Sequence, residues 1–349
     1  MQSQQYWIGI DLHTHVMQAC VLDEAGERCL EKRYRGSSLE EGRDVVRDLA
    51  EQFPGAHIAV EAVGTNRWFV RACRECGLQV TVVHAGHLGL KQSGRKTDRR
   101  DAYELARRHR LGDIERNARS YHPTELEYGW RQLLRQRHNL VQERTSLITR
   151  VRAMLRAHRT DQPKGDIYGP RNLKKVKAIR LENTDEQVVF EVLLSALEMI
   201  HGSIVALDHR IAEFVHKHPR VAPLLAIPYV GPITAGTLVS ELGDVHRFRN
   251  AKAVASYAGL VPRVQQSADQ AHNGRLVRHG NRELRYVLGE WAVQLLSRHP
   301  IAKAWAAPRL SRMPKNKVRV ALARKLLVGV WHTLRTGEVF SLERCLATA

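Results

Sequence analysis

Cysteines and long apolar runs are both scarce in this chain of 349 residues. The five cysteines are an odd number and are scattered, which predicts reduced thiols rather than a disulfide framework. No apolar run approaches the roughly 18 residues of a membrane-spanning helix, so we expect no membrane partner. The opening residues MQSQQYWIGID lack the basic leader and the apolar stretch of a secretory signal. We therefore expect a cytoplasmic protein.

A zinc site is the alternative that two of the cysteines leave open. Cys73 and Cys76 form a CxxC pair, but no second ligand pair follows at a suitable spacing. The surrounding segment WFVRACRECG has the pattern of an amphipathic helix. We interpret both residues as cysteines of that helix.

Acidic residues are scarce relative to basic ones, but only in the second part of the chain. The chain has 55 Lys and Arg against 36 Asp and Glu, a net charge of +19. Residues 1–115 hold 17 of each kind, so the whole surplus lies in residues 116–349. Such a basic block favours nucleic acid as the partner, because each neutralised phosphate releases condensed counterions.

Short alternating segments fill residues 1–115. Three runs joined by turns predict an antiparallel meander, and the order that follows is β-β-β-α-β-α-β-α. The predicted strand segments are 6–11, 16–26, 27–36, 57–64 and 79–85, and the predicted helices are 38–53, 65–77 and 98–111.

Helical periodicity dominates residues 116–349. Apolar residues recur at three- and four-residue intervals over about 123–160 and 184–217, which predicts two long helices. These helices either fold back on each other as an antiparallel hairpin or pair between subunits. Either arrangement suggests dimerisation, although a hairpin that stays within one subunit fits the pattern equally well. Residues 222–242 predict two helices and a turn, and 248–335 predict helices with one polar, basic loop. We predict three domains, 1–115, 116–220 and 221–349.

Four acidic residues are predicted to meet in the first domain. Asp11 ends the first strand, Glu61 ends the fourth, and Asp98 and Asp101 begin the last helix. The first and fourth strands are neighbours in a meander followed by βαβ units, so the four side chains would share one pocket. Two carboxylates about 4 Å apart repel by roughly 4 kcal/mol at an effective dielectric of 20. A divalent cation resolves this repulsion, and all-oxygen ligands predict Mg²⁺ or Mn²⁺ rather than zinc.

Simpler roles compete with metal binding in two places. Asp98 follows Thr97, and either residue could cap the helix. His13 and His15 follow Asp11 in DLHTH, but we do not expect either histidine to bind the metal.

The ordered motifs resemble those of a known family. GID at 9–11, VEAVG at 60–64 and KTDRRDA at 96–102 are similar to the DEDD motifs of transposases and site-specific recombinases of the insertion-sequence one-ten group, which includes pilin-gene invertases. The second half resembles that group's transposase domain in IPYVGPITAGTLVSELGDVHRF, ASYAGLVPRVQQS and RHGNRELR. The resemblance implies an α/β first domain of RNase H-like (RuvC-like) fold. A long helical hairpin or coiled coil and a mostly helical C-terminal domain follow it.

The resemblance implies DNA transposition or site-specific recombination. Asp11, Glu61, Asp98 and Asp101 would hold the metal ions, and Ser267 would attack a DNA phosphodiester and form a phosphoserine link. It also implies a homodimer or homotetramer and, in many members, a guide RNA that the same element encodes.

Three residues depart from the group's pattern. Val63 replaces a common threonine, Tyr229 replaces a common glycine in the helical turn, and Ala268 replaces the glycine that usually follows the serine.

Six basic residues are predicted to contact nucleic acid. Four surround the serine loop and two flank the acids of the KTDRRDA motif, where they would meet phosphates. The six are Arg275, Arg278, Arg282, Arg285, Lys96 and Arg99.

Two other function classes remain open. IGIDLHTH resembles the first phosphate loop of actin-like ATPases and sugar kinases, but the sequence has no second loop of the Asp-Gly-Gly-Thr type, and its basic second half does not suit a small-molecule kinase. A nuclease or junction resolvase would use the same metal-binding fold and would hydrolyse DNA without a covalent intermediate.

Overall fold

The computed structural model describes residues 4–36, 38–64, 66–84, 97–117, 119–160, 163, 165–267, 270–276 and 280–347; the side chains of residues 117 and 263–276 are outside the description. The chain divides into two units, Met1–His122 (unit 1) and Pro123–Ala349 (unit 2). The predicted division at 115 and 220 stays a prediction.

Unit 1 contains a mixed five-stranded sheet. Its strands are β1 (Trp7–Leu12), β2 (Val16–Leu22), β3 (Arg28–Arg35), β4 (His57–Glu61) and β5 (Gln79–Val83), in the order β3-β2-β1-β4-β5. The first three pair antiparallel, and β4 and β5 continue the sheet parallel to β1. The predicted meander is confirmed, and so is the predicted pairing of the first and fourth strands.

Two helices cover one face of this sheet. They are α1 (Leu39–Gln52) and α2 (Arg67–Glu75), and they bury Val46, Leu49 and Phe69 against Ile8 and Ile10 of β1. Since strand side chains alternate between faces, Gly9 and Asp11 lie on the opposite face.

Helix α3 (Asp98–Arg110) packs on that opposite face, against β1, β2 and β4, and the short helix α4 (Asp113–Asn117) follows it. The approach of α3 to β1 is unusually close at Gly9. A Cβ atom added to Gly9 would lie 1.9 Å from the carbonyl oxygen of Ala102 and 2.5 Å from the backbone nitrogen of Ala106. Only glycine fits at this position without moving the helix.

Unit 2 begins with a long antiparallel helical hairpin. Its helices are α5 (Glu125–Ala157) and α7 (Thr184–Lys217), joined through the short α6 (Pro170–Lys177). Trp130 near the start of α5 stacks on Phe214 near the end of α7, with ring centroids 3.8 Å apart. Val151 and Phe190 share a core at the other end. The chain forms the internal hairpin that the sequence allowed, and pairing between subunits stays a prediction.

Helix α7 is long and apolar enough, by length and composition alone, to cross a membrane, with a mean hydropathy of 1.8 in its most apolar window. The sequence expectation differed because Glu191 and Glu198 interrupt every long apolar run in α7. Its apolar residues divide between two faces. Phe190, Leu193 and Leu197 are buried against the rest of the hairpin, while others are exposed.

The remainder of unit 2 is mostly helical and shares one core with the open end of the hairpin. Trp291, Trp305 and Trp331 are buried in this region. The helices are α8 (Ala222–Leu225), α9 (Pro232–Leu242), α10 (Ala251–Tyr257), α11 (Arg282–Arg298), α12 (Pro300–Leu310), α13 (Lys315–Thr336) and α14 (Leu342–Ala347).

The predicted basic loop after α10 is not a plain loop. Two antiparallel strands, β6 (Pro262–Ser267) and β7 (Gln270–Leu276), form a hairpin there, called the serine hairpin below. The polar sequence of this segment gave no strand signal. The two strands pair only with each other, as a separate two-stranded sheet.

Tyr229 explains one departure from the family pattern. Its φ is 63°, which lies in the left-handed region that glycine adopts without strain. The tight turn before α9 is therefore kept even though tyrosine replaces glycine. The indole of Trp291 donates a hydrogen bond to the carbonyl oxygen of Pro228 at 2.9 Å and supports the turn.

Replacing Gly9 with alanine tests the contact between β1 and α3. We expect Gly9→Ala to lower the free energy of unfolding by about 1 to 3 kcal/mol, because the new methyl group overlaps the backbone of α3. Urea unfolding followed by circular dichroism measures the change.

Gly129→Ala is the matched control. Gly129 is an exposed residue of α5, and no described atom lies within 4 Å of its added Cβ. The control is expected to gain up to about 1 kcal/mol from helix propensity. Equal stability of Gly9→Ala and the parent chain would contradict the close contact.

Candidate metal site and serine hairpin

Asp11 lies on β1 beside the end of β4. Ile10 pairs with Val60 in the parallel register, so Asp11 and Glu61 are each the next residue along neighbouring strands. Asp11 is 8% exposed, and Glu61 is half-buried. Both belong to the sheet face that α3 covers, since they alternate with Ile10 and Val60.

The start of α3 supplies the other two predicted acids. Thr97 is the N-cap, and its side chain accepts a hydrogen bond from the backbone N–H of Arg100 at 3.3 Å. Asp98 and Asp101 occupy the first turn. Because Thr97 provides the cap, the carboxylate of Asp98 is available for another role.

Three side chains form a group that suggests a metal site: Asp11, His13 and Asp98. One potential ligand atom from each lies within 4.8 Å of the others. His13 Nε2 is 3.3 Å from Asp11 Oδ2 and 3.6 Å from Asp98 Oδ1. The structure therefore differs from the sequence expectation at His13, whose imidazole faces the acids.

The surroundings of Asp11 fit a bound cation. Burial raises the pKa of Asp11, the neighbouring His13 lowers it, and the charges of Asp98 and Asp101 raise it. Its Oδ2 atom is buried and has no hydrogen-bond partner among the described residues. A buried carboxylate oxygen without a hydrogen bond is costly, and a divalent ion is a partner that removes the cost.

The remaining predicted residues of this region have different surroundings. Asp101 is close enough for its charge to raise the pKa of Asp11. Glu61 lies outside the close group of three, although its strand neighbours β1. Arg99 pairs with Glu31. Lys96 lies outside the described residues.

Ser267 is the last residue of β6 and pairs with Gln270. Its side chain and that of Arg275 are outside the description, and Ala268 and Arg278 lie outside the described residues altogether. The position of Ser267 at the turn of the serine hairpin is therefore known from the backbone alone.

The base of the serine hairpin is tightly fixed. A Cβ atom on Gly280 would lie 2.6 Å from both the Cα and the nitrogen of Gly259, so the two flanking segments touch. The Asn281 N–H donates to the carbonyl oxygen of Tyr257 at 2.8 Å. Arg285 donates to the carbonyl oxygen of Ala258 at 3.2 Å.

Arg282 also has a contact within unit 2, donating to the Gln142 side chain at 2.8 Å. Two of the basic residues predicted to contact nucleic acid, Arg282 and Arg285, therefore also connect the serine hairpin to the surrounding helices.

A buried carboxylate organises this base. Glu241, at 1% exposure, accepts two hydrogen bonds from Arg135 at 2.7 and 2.8 Å and one from the Asn281 amide at 2.7 Å. Its backbone carbonyl oxygen accepts from the Tyr257 hydroxyl at 3.1 Å and from Arg131 at 3.2 Å. One residue thus joins α5, α9, α10 and the residue before α11. Sequence reasoning missed it because its partners are distant along the chain.

The sheet order together with acids on β1, β4 and α3 defines an RNase H-like domain of the DEDD class. Comparison with known proteins agrees. Residues 8–159 match the DEDD transposase model of the IS110 type, and residues 221–307 match the model described as transposase IS116/IS110/IS902 family.

Two related proteins match nearly the whole chain, and a third matches part of it. A probable family 20 transposase of Pseudomonas aeruginosa is 27% identical over 94% of this chain and 96% of its own length. The transposase for insertion sequence element IS1111A of Coxiella burnetii is 24% identical over 95% of this chain and 90% of its own. The pilin gene-inverting protein of Moraxella bovis is 34% identical over 40% of this chain and 45% of its own.

The chain belongs to the IS110/IS116/IS902 family of transposases, enzymes that cut and join DNA. The predicted family and the predicted enzyme class are confirmed, and DNA binding follows from them.

Removing the Glu241 carboxylate tests its role in unit 2. We expect Glu241→Ala to lower the free energy of unfolding by about 3 kcal/mol, because Arg135 and the Asn281 amide lose their buried partner. Urea unfolding followed by tryptophan fluorescence measures the loss.

Glu290→Ala is the control for a charge pair at the surface. Glu290 is 3.0 Å from Arg319, and its side chain is 56% exposed. Its loss is expected to cost less than about 1 kcal/mol. An equal loss of unfolding free energy in both variants would contradict the structural role of Glu241.

Proposed function

We propose that this transposase cuts and rejoins DNA through a covalent phosphoserine intermediate on Ser267. The hydroxyl loses its proton, its oxygen forms a bond to the DNA phosphorus, and the bond from phosphorus to the leaving deoxyribose oxygen breaks. That oxygen takes up a proton. Reversal with a different DNA hydroxyl would rejoin the strands. The free energy of the phosphoester bond is kept for this step, because one phosphoester replaces another.

Asp11, Glu61, Asp98 and Asp101 are proposed to hold Mg²⁺ or Mn²⁺. The bound ion would polarise the phosphoryl oxygens and stabilise the leaving oxygen. The observation that carries the proposal is the buried oxygen of Asp11, which has no hydrogen-bond partner among the described residues and faces further acids. The chain's own contribution would be to bring these carboxylates to one ion from β1, β4 and α3.

The anchoring of the serine hairpin supports a catalytic role for Ser267. Covalent catalysis requires the nucleophile to be held in place, and scaffold elements hold a residue better than a free loop does. The contact of Gly259 with Gly280 and the bonds of Asn281 fix both ends of this hairpin.

The six basic residues named from the sequence are proposed to contact DNA phosphates. Arg275 and Arg278 belong to or follow β7, and Arg282 and Arg285 begin α11. Lys96 and Arg99 flank the acids of unit 1. An element-encoded guide RNA is proposed as a further partner, supported by the resemblance to the family and by the basic surplus of residues 116–349. A DNA substrate is consistent with action in the cytoplasm.

We propose a homodimer or homotetramer that assembles through α7. Val188, Val192 and Met199 are 56%, 62% and 72% exposed and follow one another at helical spacing. Gly202 and Ala206 continue the same stripe and are also exposed. The spacing of four, seven, three and four residues is the heptad pattern of a coiled-coil seam. A second copy of α7 is the partner proposed for this stripe.

A metal-dependent nuclease or junction resolvase is the second candidate function. The observation in its favour is that the close group of Asp11, His13 and Asp98 lies entirely within unit 1. Such a group could activate water without a serine, and the products would then carry no protein.

A covalent adduct distinguishes the two functions. We expect the parent chain with Mn²⁺ and its DNA to form a protein–DNA adduct that survives denaturation. Ser267→Ala should abolish the adduct because the attacking oxygen is gone, and Asp11→Asn should reduce it at least about a hundredfold because charge stabilisation is lost. Denaturing gel electrophoresis of labelled DNA measures both.

Ser297→Ala, at an exposed position of α11, is the control and should retain the adduct. Cleaved DNA without any adduct in the parent chain would support the nuclease and overturn the serine proposal.

A charge on the α7 stripe tests the assembly. We expect Val192→Glu to weaken self-association at least about tenfold, because two like charges would face each other across the seam. Val339→Glu is the matched control, since Val339 is 89% exposed outside α7. Sedimentation velocity at several concentrations compares them, and unchanged association of Val192→Glu would exclude this seam.

A further inference from the structure

His13 occupies the position of a metal ligand, although the acids alone define the DEDD group. It directly follows β1, and its backbone N–H donates to the carbonyl oxygen of Val16 at 2.8 Å across the tight β1–β2 turn. This bond fixes the backbone of His13 and therefore the position of its Cβ atom. The imidazole then extends back to Asp11 on β1 and to Asp98 at the start of α3.

The distances suit a shared ion. Adjacent ligands in an octahedral site with bonds of about 2.1 Å lie roughly 3 Å apart. His13 Nε2 is 3.3 Å from Asp11 Oδ2 and 3.6 Å from Asp98 Oδ1, so small side-chain shifts would complete the set. The other oxygen of Asp98 faces Arg33 at 3.8 Å, which leaves Oδ1 for the ion.

The second, independent observation is the buried side chain of Asp11. The residue is 8% exposed and its side chain 11%, and Oδ2 has no hydrogen-bond partner among the described residues, although the imidazole nitrogen lies 3.3 Å away. His13 Nε2 and Asp11 Oδ2 are this close to each other and to Asp98, so both atoms can bind one ion.

We infer that His13 donates Nε2 to the ion held by Asp11 and Asp98, and that this position therefore binds Mn²⁺ in preference to Mg²⁺. Mg²⁺ strongly prefers oxygen ligands and loses its water reluctantly, whereas transition metals accept imidazole readily. The inference rests on the proposed metal-dependent function and adds a nitrogen ligand and a metal preference to it.

Mn²⁺ binding to the full-length chain tests the inference without any activity assay. Pulsed electron paramagnetic resonance of bound Mn²⁺ should record coupling to an imidazole nitrogen. His13→Ala should abolish that coupling and weaken Mn²⁺ binding at least about tenfold, the loss seen even for residues that only support a ligand. Mg²⁺ affinity, measured by competition, should change by less than about threefold because its ligands are oxygens.

His15→Ala is the matched control, since His15 is an exposed histidine two residues further along the same turn. It should retain both the coupling and the Mn²⁺ affinity, and circular dichroism checks that each variant is folded. Mn²⁺ binding without nitrogen coupling in the parent chain, or coupling that survives His13→Ala, would overturn the inference and leave an all-oxygen site. Asp11→Asn distinguishes the wider failure: Mn²⁺ affinity unchanged in that variant would remove the metal site itself.

Discussion

The close packing of α3 on β1 is the constraint on which the candidate metal site depends. Asp98 and Asp101 stand on the first turn of α3, so the separation of the helix from the sheet sets how near their carboxylates come to Asp11. Gly9 sets that separation, because its lack of a side chain lets the helix backbone rest directly on the strand. The glycine and the aspartate of GID thus have linked roles. One fixes the depth of the helix, and the other provides a ligand on the same face.

The elements with strong periodicity could be predicted from the sequence. Helix α7 has the predicted bounds. The Asn183 side chain caps its start by accepting hydrogen bonds from the backbone N–H groups of Asp185 and Glu186, and the helical pattern continues to Lys217. The serine hairpin could not be predicted in the same way. Its strands pair only with each other, and their sequence is mostly polar, so no clear apolar alternation marks them. The exposed apolar face of α7 could not be predicted because α7 has many apolar residues. Buried and exposed apolar residues are mixed along this helix, so the sequence does not separate them.

Strand order and alternation placed Asp11 and Glu61 on the same face of neighbouring strands, which is why these two could be predicted. His13 could not, because it lies just after β1, where the direction of a side chain depends on the conformation of the turn. The left-handed backbone of Tyr229 also depends on the conformation of a turn. Local pattern favours glycine there, and the fold around the turn imposes the conformation on tyrosine. His13 and Tyr229 both lie in turns, where contacts with the rest of the fold decide the conformation that a residue adopts.

Two buried carboxylates of this chain differ in their hydrogen-bond partners. The difference indicates a structural role for one and a ligand-binding role for the other. Glu241 receives hydrogen bonds from Arg135 and Asn281 at both of its oxygens, so the protein itself completes its shell. Asp11 is also buried, although less fully; burial and two neighbouring acids raise its pKa, and one oxygen has no hydrogen bond from the part of the chain that is described. A buried charge that the fold satisfies has a structural role, because removing either partner leaves the other buried and unpaired. A buried charge left incomplete costs stability, and it persists where a ligand completes it.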